Sequence, residues 1–94
     1  MALARVVTFD GVSKQRMEEM DREMSDGQPP EGFPASEMIA LHDPEAEQSV
    51  VMIIFDTEDD YSRGDAILDA MPADETPGRR ASVKKYNVAM RMKS

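Results

Sequence analysis

Histidine, tyrosine and cysteine, three side chains often found in active sites, are scarce in this chain: its 94 residues include one histidine, two tyrosines and no cysteine. Histidine is the side chain that ordinarily changes its charge near neutral pH. The single copy, His42, stands directly before Asp43. This pair predicts a general base oriented by a neighbouring carboxylate. The competing interpretation is a surface histidine at a hairpin, and the usual placement of loops at protein surfaces favours it.

Two tyrosines and an arginine complete the candidate site. Tyr61 and Tyr86 each carry a hydroxyl suited to orienting a ligand in an apolar pocket, but the interpretation favoured for both is a core aromatic whose hydroxyl reaches solvent. Arg80 is suited to binding an anionic group, or alternatively to balancing an acidic surface. We therefore predict His42 as the catalytic residue, and Tyr61, Arg80 and Tyr86 as ligand-binding residues.

Methionine is unusually frequent, with nine copies in the chain. Its side chain is flexible and polarizable, so a group of methionines is suited to shaping a pocket for a flat apolar ligand. Methionines at helical spacing are also ordinary core residues, and this second interpretation stays open. The methionines expected to face the interior are Met17, Met20, Met24, Met38, Met52 and Met71.

Composition and charge exclude several other classes of function. The absence of cysteine excludes disulfides, cysteine-ligated zinc and iron–sulfur clusters, and the carboxylates show no metal-ligand spacing with the histidine. We therefore expect no metal and no cofactor. A formal net charge of -8 disfavours nucleic acid as a partner. No apolar run approaches the ~18 residues of a membrane span, and no secretory leader is recognisable, so we expect no membrane association and a cytoplasmic location.

The elements that must position these residues alternate between strand and helix periods. The order is β-α-β-β-α-β, with helices beginning after Ser13 and Thr57, each a good N-cap. It predicts a single ferredoxin-like α+β domain over residues 1–94, a sandwich with two helices on one face of a four-stranded antiparallel sheet. The predicted strands are 4–10, 35–42, 50–55 and 81–92.

Two local signals describe how the helices pack. Val12, before the first cap, is spaced to pack on Met17 as a hydrophobic staple. In the second helix, Gly64 costs about 1 kcal/mol relative to alanine, which indicates a close approach to the sheet.

One face of the predicted sheet has no element to cover it. The third strand is apolar on both faces, so it is expected to be buried on both. An exposed apolar sheet face is typical of an interface. We therefore predict a homodimer formed through this face.

Two segments resemble a known group of proteins. Residues 78–88 are similar to the closing strand of the dimeric α+β barrel proteins of the antibiotic-biosynthesis-monooxygenase-like group. Residues 55–61 are similar to the exit of that group's third strand, where an aromatic residue and an acid, here Phe55 and Asp56, lead into the second helix. The resemblance implies a ferredoxin-like subunit that dimerises through its sheet, with a ligand cleft between sheet and helices. The haem-degrading and polyketide-oxidising members use a tryptophan, which this chain lacks.

Two hypotheses of function follow. The first is a homodimeric barrel that binds a small apolar or aromatic molecule, with cofactor-free monooxygenase-like or isomerase-like activity as its enzymatic form. The alternative is a non-enzymatic assembly module with a filled interior. A cleft that reaches His42 or Tyr86 favours the first hypothesis, and a filled interior favours the second.

Overall fold

Six elements follow one another in the predicted order. The structure, a computed structural model, describes residues 2–25, 32–70 and 78–92. The elements are β1 (Leu3–Asp10), α1 (Lys14–Ser25), β2 (Glu37–Asp43), β3 (Gln48–Phe55), α2 (Glu58–Asp69) and β4 (Arg79–Asn87). The four strands form one antiparallel sheet in the order β2-β3-β1-β4, which confirms the ferredoxin-like α+β fold.

Strand register determines which side chains face the helices. Val7 of β1 pairs with Val51 of β3, which pairs in turn with Ala40 of β2, so these three side chains share one face. Because successive side chains of a strand alternate between faces, their neighbours point the other way. We call the first side the helix face and the opposite side the outer face; the outer face includes Ala4, Ile39, Met52, Ile54 and Tyr86.

The helix face carries the core in two clusters. Phe55, with no exposed surface, contacts Tyr61 of α2 and Phe33 edge-on, with ring centroids 5.5 Å and 6.2 Å apart. Edge-to-face contacts of this kind add to the free energy gained by burying the rings. The second cluster contains Val7, Phe9 and Val12, with Met17 packed against it.

Both predicted helix starts are confirmed. The Ser13 hydroxyl accepts a backbone amide of the first turn of α1 at 3.1 Å, and Met17 packs on the cluster that contains Val12, as a hydrophobic staple does. The Thr57 hydroxyl accepts the Asp60 amide at 3.1 Å at the start of α2. Each helix has 12 residues, and no helix in the described ranges is long and apolar enough to cross a lipid bilayer.

The fourth strand ends earlier than its apolar residues suggest. The sequence pattern predicts a strand as far as Met92, but β4 ends at Asn87, opposite Leu3. Leu3 is the first residue of β1, so the neighbouring strand offers no further ladder partner. A last backbone hydrogen bond between the two chain segments runs from the Val88 amide to the Ala2 carbonyl at 2.9 Å.

Residues 88–92, which we call the C-terminal segment, then lie across the outer face. Arg91 forms an ion pair with Glu37 of β2, at the opposite edge of the sheet from β4. Ala4 and Ile54, beside this segment, are buried. The expectation of a wholly uncovered outer face is therefore wrong at this end, whereas Ile39 and Leu41 of β2 remain exposed.

Gly64 marks the closest approach of α2 to the sheet. A methyl carbon added there would lie 2.3 Å from Cε1 of the fully buried Phe55 ring. We expect Gly64→Ala to lower the free energy of unfolding by about 1–3 kcal/mol through overpacking, although the same change on an exposed helix stabilises by about 1 kcal/mol. Urea unfolding measures the difference.

The matched control for this prediction is Ser62→Ala, at an exposed position of the same helix. It should change the free energy of unfolding by no more than about 0.5 kcal/mol. A Gly64→Ala variant that is more stable than the original chain would contradict the close packing.

Candidate functional site

An apolar cleft of about 540 Å³ lies between α1 and the helix face of the sheet. Three of the six predicted interior methionines border it: Met17 and Met20 from α1, and Met38 from β2. Met52 instead lies on the outer face, and Met71 and the side chain of Met24 lie outside the described residues. The other apolar walls include Val7, Ala40 and Val51.

His42 borders this cleft from the end of β2, half-buried. Its Nε2 lies 2.9 Å from the backbone carbonyl oxygen of Val12. A carbonyl oxygen only accepts hydrogen bonds, so Nε2 must carry the proton. In the neutral ring, Nδ1 is then an unprotonated acceptor. The structure therefore fixes the orientation of the imidazole and leaves one basic nitrogen.

The group that orients His42 is not the predicted carboxylate. Asp43 accepts the amides of Glu45 and Ala46 at 3.1 Å and 3.2 Å, and so caps the hairpin turn between β2 and β3. Adjacent residues of a strand point to opposite faces, which separates the Asp43 carboxylate from the imidazole. The Val12 carbonyl fills the orienting role instead.

Val12 connects the β2–β3 hairpin to the start of α1. Its amide donates to the Glu47 carbonyl at 2.7 Å, and its carbonyl accepts from His42. Glu47 has a left-handed backbone conformation, with a φ of 52°, at the end of the hairpin loop. Val12 itself is fully buried, and α1 begins two residues later. The hairpin therefore fixes the first turn of the helix that forms one wall of the cleft.

A network of two arginines and two aspartates borders the cleft near α2. The Arg5 side chain is only 3% exposed, and it donates from Nε to Asp65 at 2.8 Å and from Nη2 to Asp69 at 3.2 Å. Asp69 also accepts from Arg80 at 2.9 Å. Partners of opposite charge are what a buried guanidinium requires. The four charges sum to zero, and of the four side chains it is the two arginines that border the cleft.

Arg80 reaches the cleft because β4 contains a bulge. Thr8 pairs with Ser82 and Phe9 pairs with Arg80, which leaves Ala81 without a partner in β1. Strict alternation would direct Arg80 to the outer face, and the extra residue turns it to the helix face. It borders the cleft there.

The two predicted tyrosines lie elsewhere. Tyr61 is buried in the core against Phe55, and Lys85 Nζ lies 4.7 Å from its ring centroid. Tyr86 lies on the outer face and is 49% exposed. Of the four candidate residues, the structure thus brings His42 and Arg80 to the cleft, and it separates Tyr61 and Tyr86 from them and from each other.

Arg5 is the site residue that the candidates omitted. It shares the strand period of Val7 and Phe9, so a charge stands in the middle of an apolar face. A charged residue at such a position signals a buried ion pair. In the described ranges, no group of three or more histidine, aspartate or glutamate side chains is placed to hold a metal ion.

Fold and site together define a ferredoxin-like α+β protein with an open cleft between sheet and helix. The chain matches no protein-family model, and neither a curated protein nor a solved structure shows significant similarity to it. The function must therefore be argued from the cleft and the surfaces of this chain.

The alkaline stability of the protein tests the environment of Tyr61. Burial, and secondly the Asp65 carboxylate, raise the pKa of the Tyr61 hydroxyl above its ordinary value of 10.0. The folded state therefore holds this proton more tightly than the unfolded state does. The stabilisation is complete below the ordinary value and is lost as the pH rises through the folded pKa. Urea unfolding from neutral to alkaline pH measures this decline.

The Tyr61→Phe variant isolates the effect of this hydroxyl from that of other groups. We expect its alkaline decline in stability to be smaller than that of the original chain. Tyr86→Phe, altered on the outer face, is the matched control and should keep the original decline. The interpretation fails if Tyr61→Phe and the original chain lose stability in parallel.

Proposed function

We propose that this protein binds a small, neutral, apolar molecule in the cleft between α1 and the sheet. The observation that carries the proposal is the cleft itself, whose volume of about 540 Å³ is in the range of small-molecule sites, about 300–1,000 Å³. Its walls are mainly apolar, with a few polar groups including His42. This combination is typical of ligand sites.

The charges around the cleft favour a neutral ligand. Asp69 already engages both Arg5 and Arg80, so an anionic ligand would have to compete with that carboxylate for them. On α1, Lys14 borders the cleft together with Glu18 and Asp21, so this wall carries no excess of positive charge either. An anion would therefore have to displace Asp69 from the two arginines, while Glu18 and Asp21 offset the charge of Lys14 on the other wall.

The shape of the walls favours an adaptable fit. Met17, Met20 and Met38 adjust their side chains to ligands of different outline at small cost. The resemblance to the antibiotic-biosynthesis-monooxygenase-like proteins supports the same proposal, since it implies a ligand cleft between sheet and helices. That resemblance rests on fold-level analogy and short segments.

An enzymatic form of this function is an isomerase-like proton transfer. His42 Nδ1 accepts the proton of an enol hydroxyl of the ligand and returns it to the neighbouring carbon, so an O–H bond breaks, a C–H bond forms, the C=C double bond becomes C=O, and the imidazole ends unchanged. The Val12 carbonyl stabilises the protonated imidazole through Nε2. Atoms and electrons balance in this step without a cofactor.

Filling the cleft tests the binding proposal. A naphthol, added to the full chain, should shift the amide NMR signals of Met38, Ala40 and Val51 and raise the melting temperature. Ala40→Trp places an indole in the cleft and should abolish both effects, because Ala40 borders it. Ile67→Trp, at an exposed position of α2 that does not border the cleft, is the matched control and should bind as the original chain does. Unchanged cleft signals up to the solubility limit of the probe would contradict the proposal.

We also propose that two copies pair through the outer face. Five large apolar side chains are exposed on it, and four of them border one groove with the C-terminal segment. An exposed apolar patch of this kind is typical of a protein interface. The five are Ile39, Leu41, Tyr86, Met90 and Met92, the last two being 79% and 84% exposed.

Charge complementarity favours a second copy as the occupant. Asp43 on β2 and Arg79 on β4 are at opposite edges of the sheet, in one row across the outer face. A two-fold axis parallel to the strands lays β2 of one copy over β4 of its partner. That arrangement brings each Asp43 opposite an Arg79 and stacks the apolar centres of the two faces.

Sedimentation at micromolar concentration tests this pairing. The chain should sediment with twice its mass of 10.5 kDa, and Leu41→Glu should sediment as a single chain, because a charge is buried in the interface. Ile67→Glu is the matched control: Ile67 is 45% exposed on α2, away from the outer face, and the variant should remain a dimer. A single-chain mass for the original protein would refute the pairing.

A further inference from the structure

We infer that the ligand of the cleft carries a hydroxyl group, and that this hydroxyl donates a hydrogen bond to Nδ1 of His42. The inference rests on the proposed function, since it names the chemical class of the molecule bound there. That class is a neutral, mainly apolar alcohol or phenol. Two properties of the site lead to this class: the protonation of the His42 imidazole and the hydrogen-bonding groups that surround it.

The tautomer of the neutral His42 ring is determined by its backbone partner. Its Nε2 must donate to the Val12 carbonyl at 2.9 Å, so the neutral ring holds its proton there. Loss of this bond would leave the carbonyl of a fully buried residue without its partner. The protein backbone thus selects the Nε2-protonated form, and Nδ1 is left as an acceptor.

The described side chains around Nδ1 leave this acceptor without a donor from among them. In the described residues, the His42 side chain forms one hydrogen bond, the one through Nε2. Its neighbours along the same face of β2, Met38 and Ala40, have no side-chain donor for Nδ1. The hydroxyl of its cross-strand partner Ser49 donates to a backbone carbonyl instead, and no described contact joins Lys14 to Nδ1. A ligand that displaces water from the cleft must therefore supply a donor, or else leave this acceptor unsatisfied at a cost in affinity.

The donor that the ligand brings to Nδ1 should be uncharged. A cationic ammonium group at Nδ1 would require a carboxylate beside it. Asp69 is occupied by two arginines, Asp65 is occupied by Arg5, and Asp43 caps the hairpin turn. Glu18 and Asp21 border the cleft from α1, and no described contact joins either of them to His42. A hydroxyl satisfies Nδ1 without adding a charge.

The test compares a naphthol with its methyl ether, which has the same ring system but no donor. Titrations followed by the amide signals of the cleft should show the naphthol binding about tenfold more tightly, as expected for one hydrogen bond to a desolvated acceptor. Equal affinities would overturn the inference and leave the binding site intact. If neither compound shifts the cleft signals, the ligand site itself fails, and the inference fails with it.

Two further measurements tie the preference to His42. His42→Lys retains a side-chain N–H donor for the Val12 carbonyl but carries no acceptor, so the preference for the naphthol should fall to about twofold or less. Ser62→Lys, at an exposed position of α2, is the matched control and should keep the full preference. A His42→Lys variant that still prefers the naphthol tenfold would overturn the inference.

The nitrogen chemical shifts of the His42 ring give a reading that needs no variant. Without ligand they should show a protonated Nε2 and a bare Nδ1, and the Nδ1 signal should move on addition of the naphthol but not of the ether. A proton on Nδ1 in the free protein, or a response to both compounds alike, would overturn the inference.

Discussion

The two hydrogen bonds of the Val12 backbone are the constraint on which the cleft depends. Val12 is fully buried between β1 and α1, so its amide and carbonyl need partners inside the protein. Both partners belong to the β2–β3 hairpin: Glu47 accepts from the amide, and His42 donates to the carbonyl. These two bonds hold the start of α1 against the β2–β3 hairpin. The same bond that satisfies the backbone also sets the protonation of the one histidine, so a structural and a chemical role coincide in His42.

A second constraint is the buried charge of Arg5. A guanidinium that is 3% exposed requires carboxylates, and α2 provides them through Asp65 and Asp69. This requirement holds α2 over β1 in one orientation. It also determines the character of the cleft, because Asp69 neutralises Arg80 as well. Both arginines that border the cleft are therefore already paired with carboxylates of α2.

The fold could be predicted because its signals are local, whereas the site is built from distant contacts. The hydroxyl caps and the hydrophobic staple depend on neighbours within a few residues, and each has the expected role in the structure. Gly64 could be recognised from its residue type in the middle of a helix, although the group it approaches is Phe55 of β3. His42 could be chosen from its residue type alone, but its bond to Val12 spans 30 positions of sequence. Strand alternation explains why adjacent Asp43 is not its partner. The position of Arg80 depends on a bulge that no periodic pattern indicates.

The bulge at Ala81 has a consequence for how this protein can diverge in sequence. In a regular strand, the side of the sheet on which a residue lies depends only on whether its position is odd or even. In β4, the unpaired Ala81 reverses this rule for Arg79 and Arg80. Insertions and deletions near Ala81 are therefore not equivalent to those in an ordinary surface loop. A change by one residue exchanges Arg79 and Arg80 between the two faces, and so alters the cleft and the outer face in a single event.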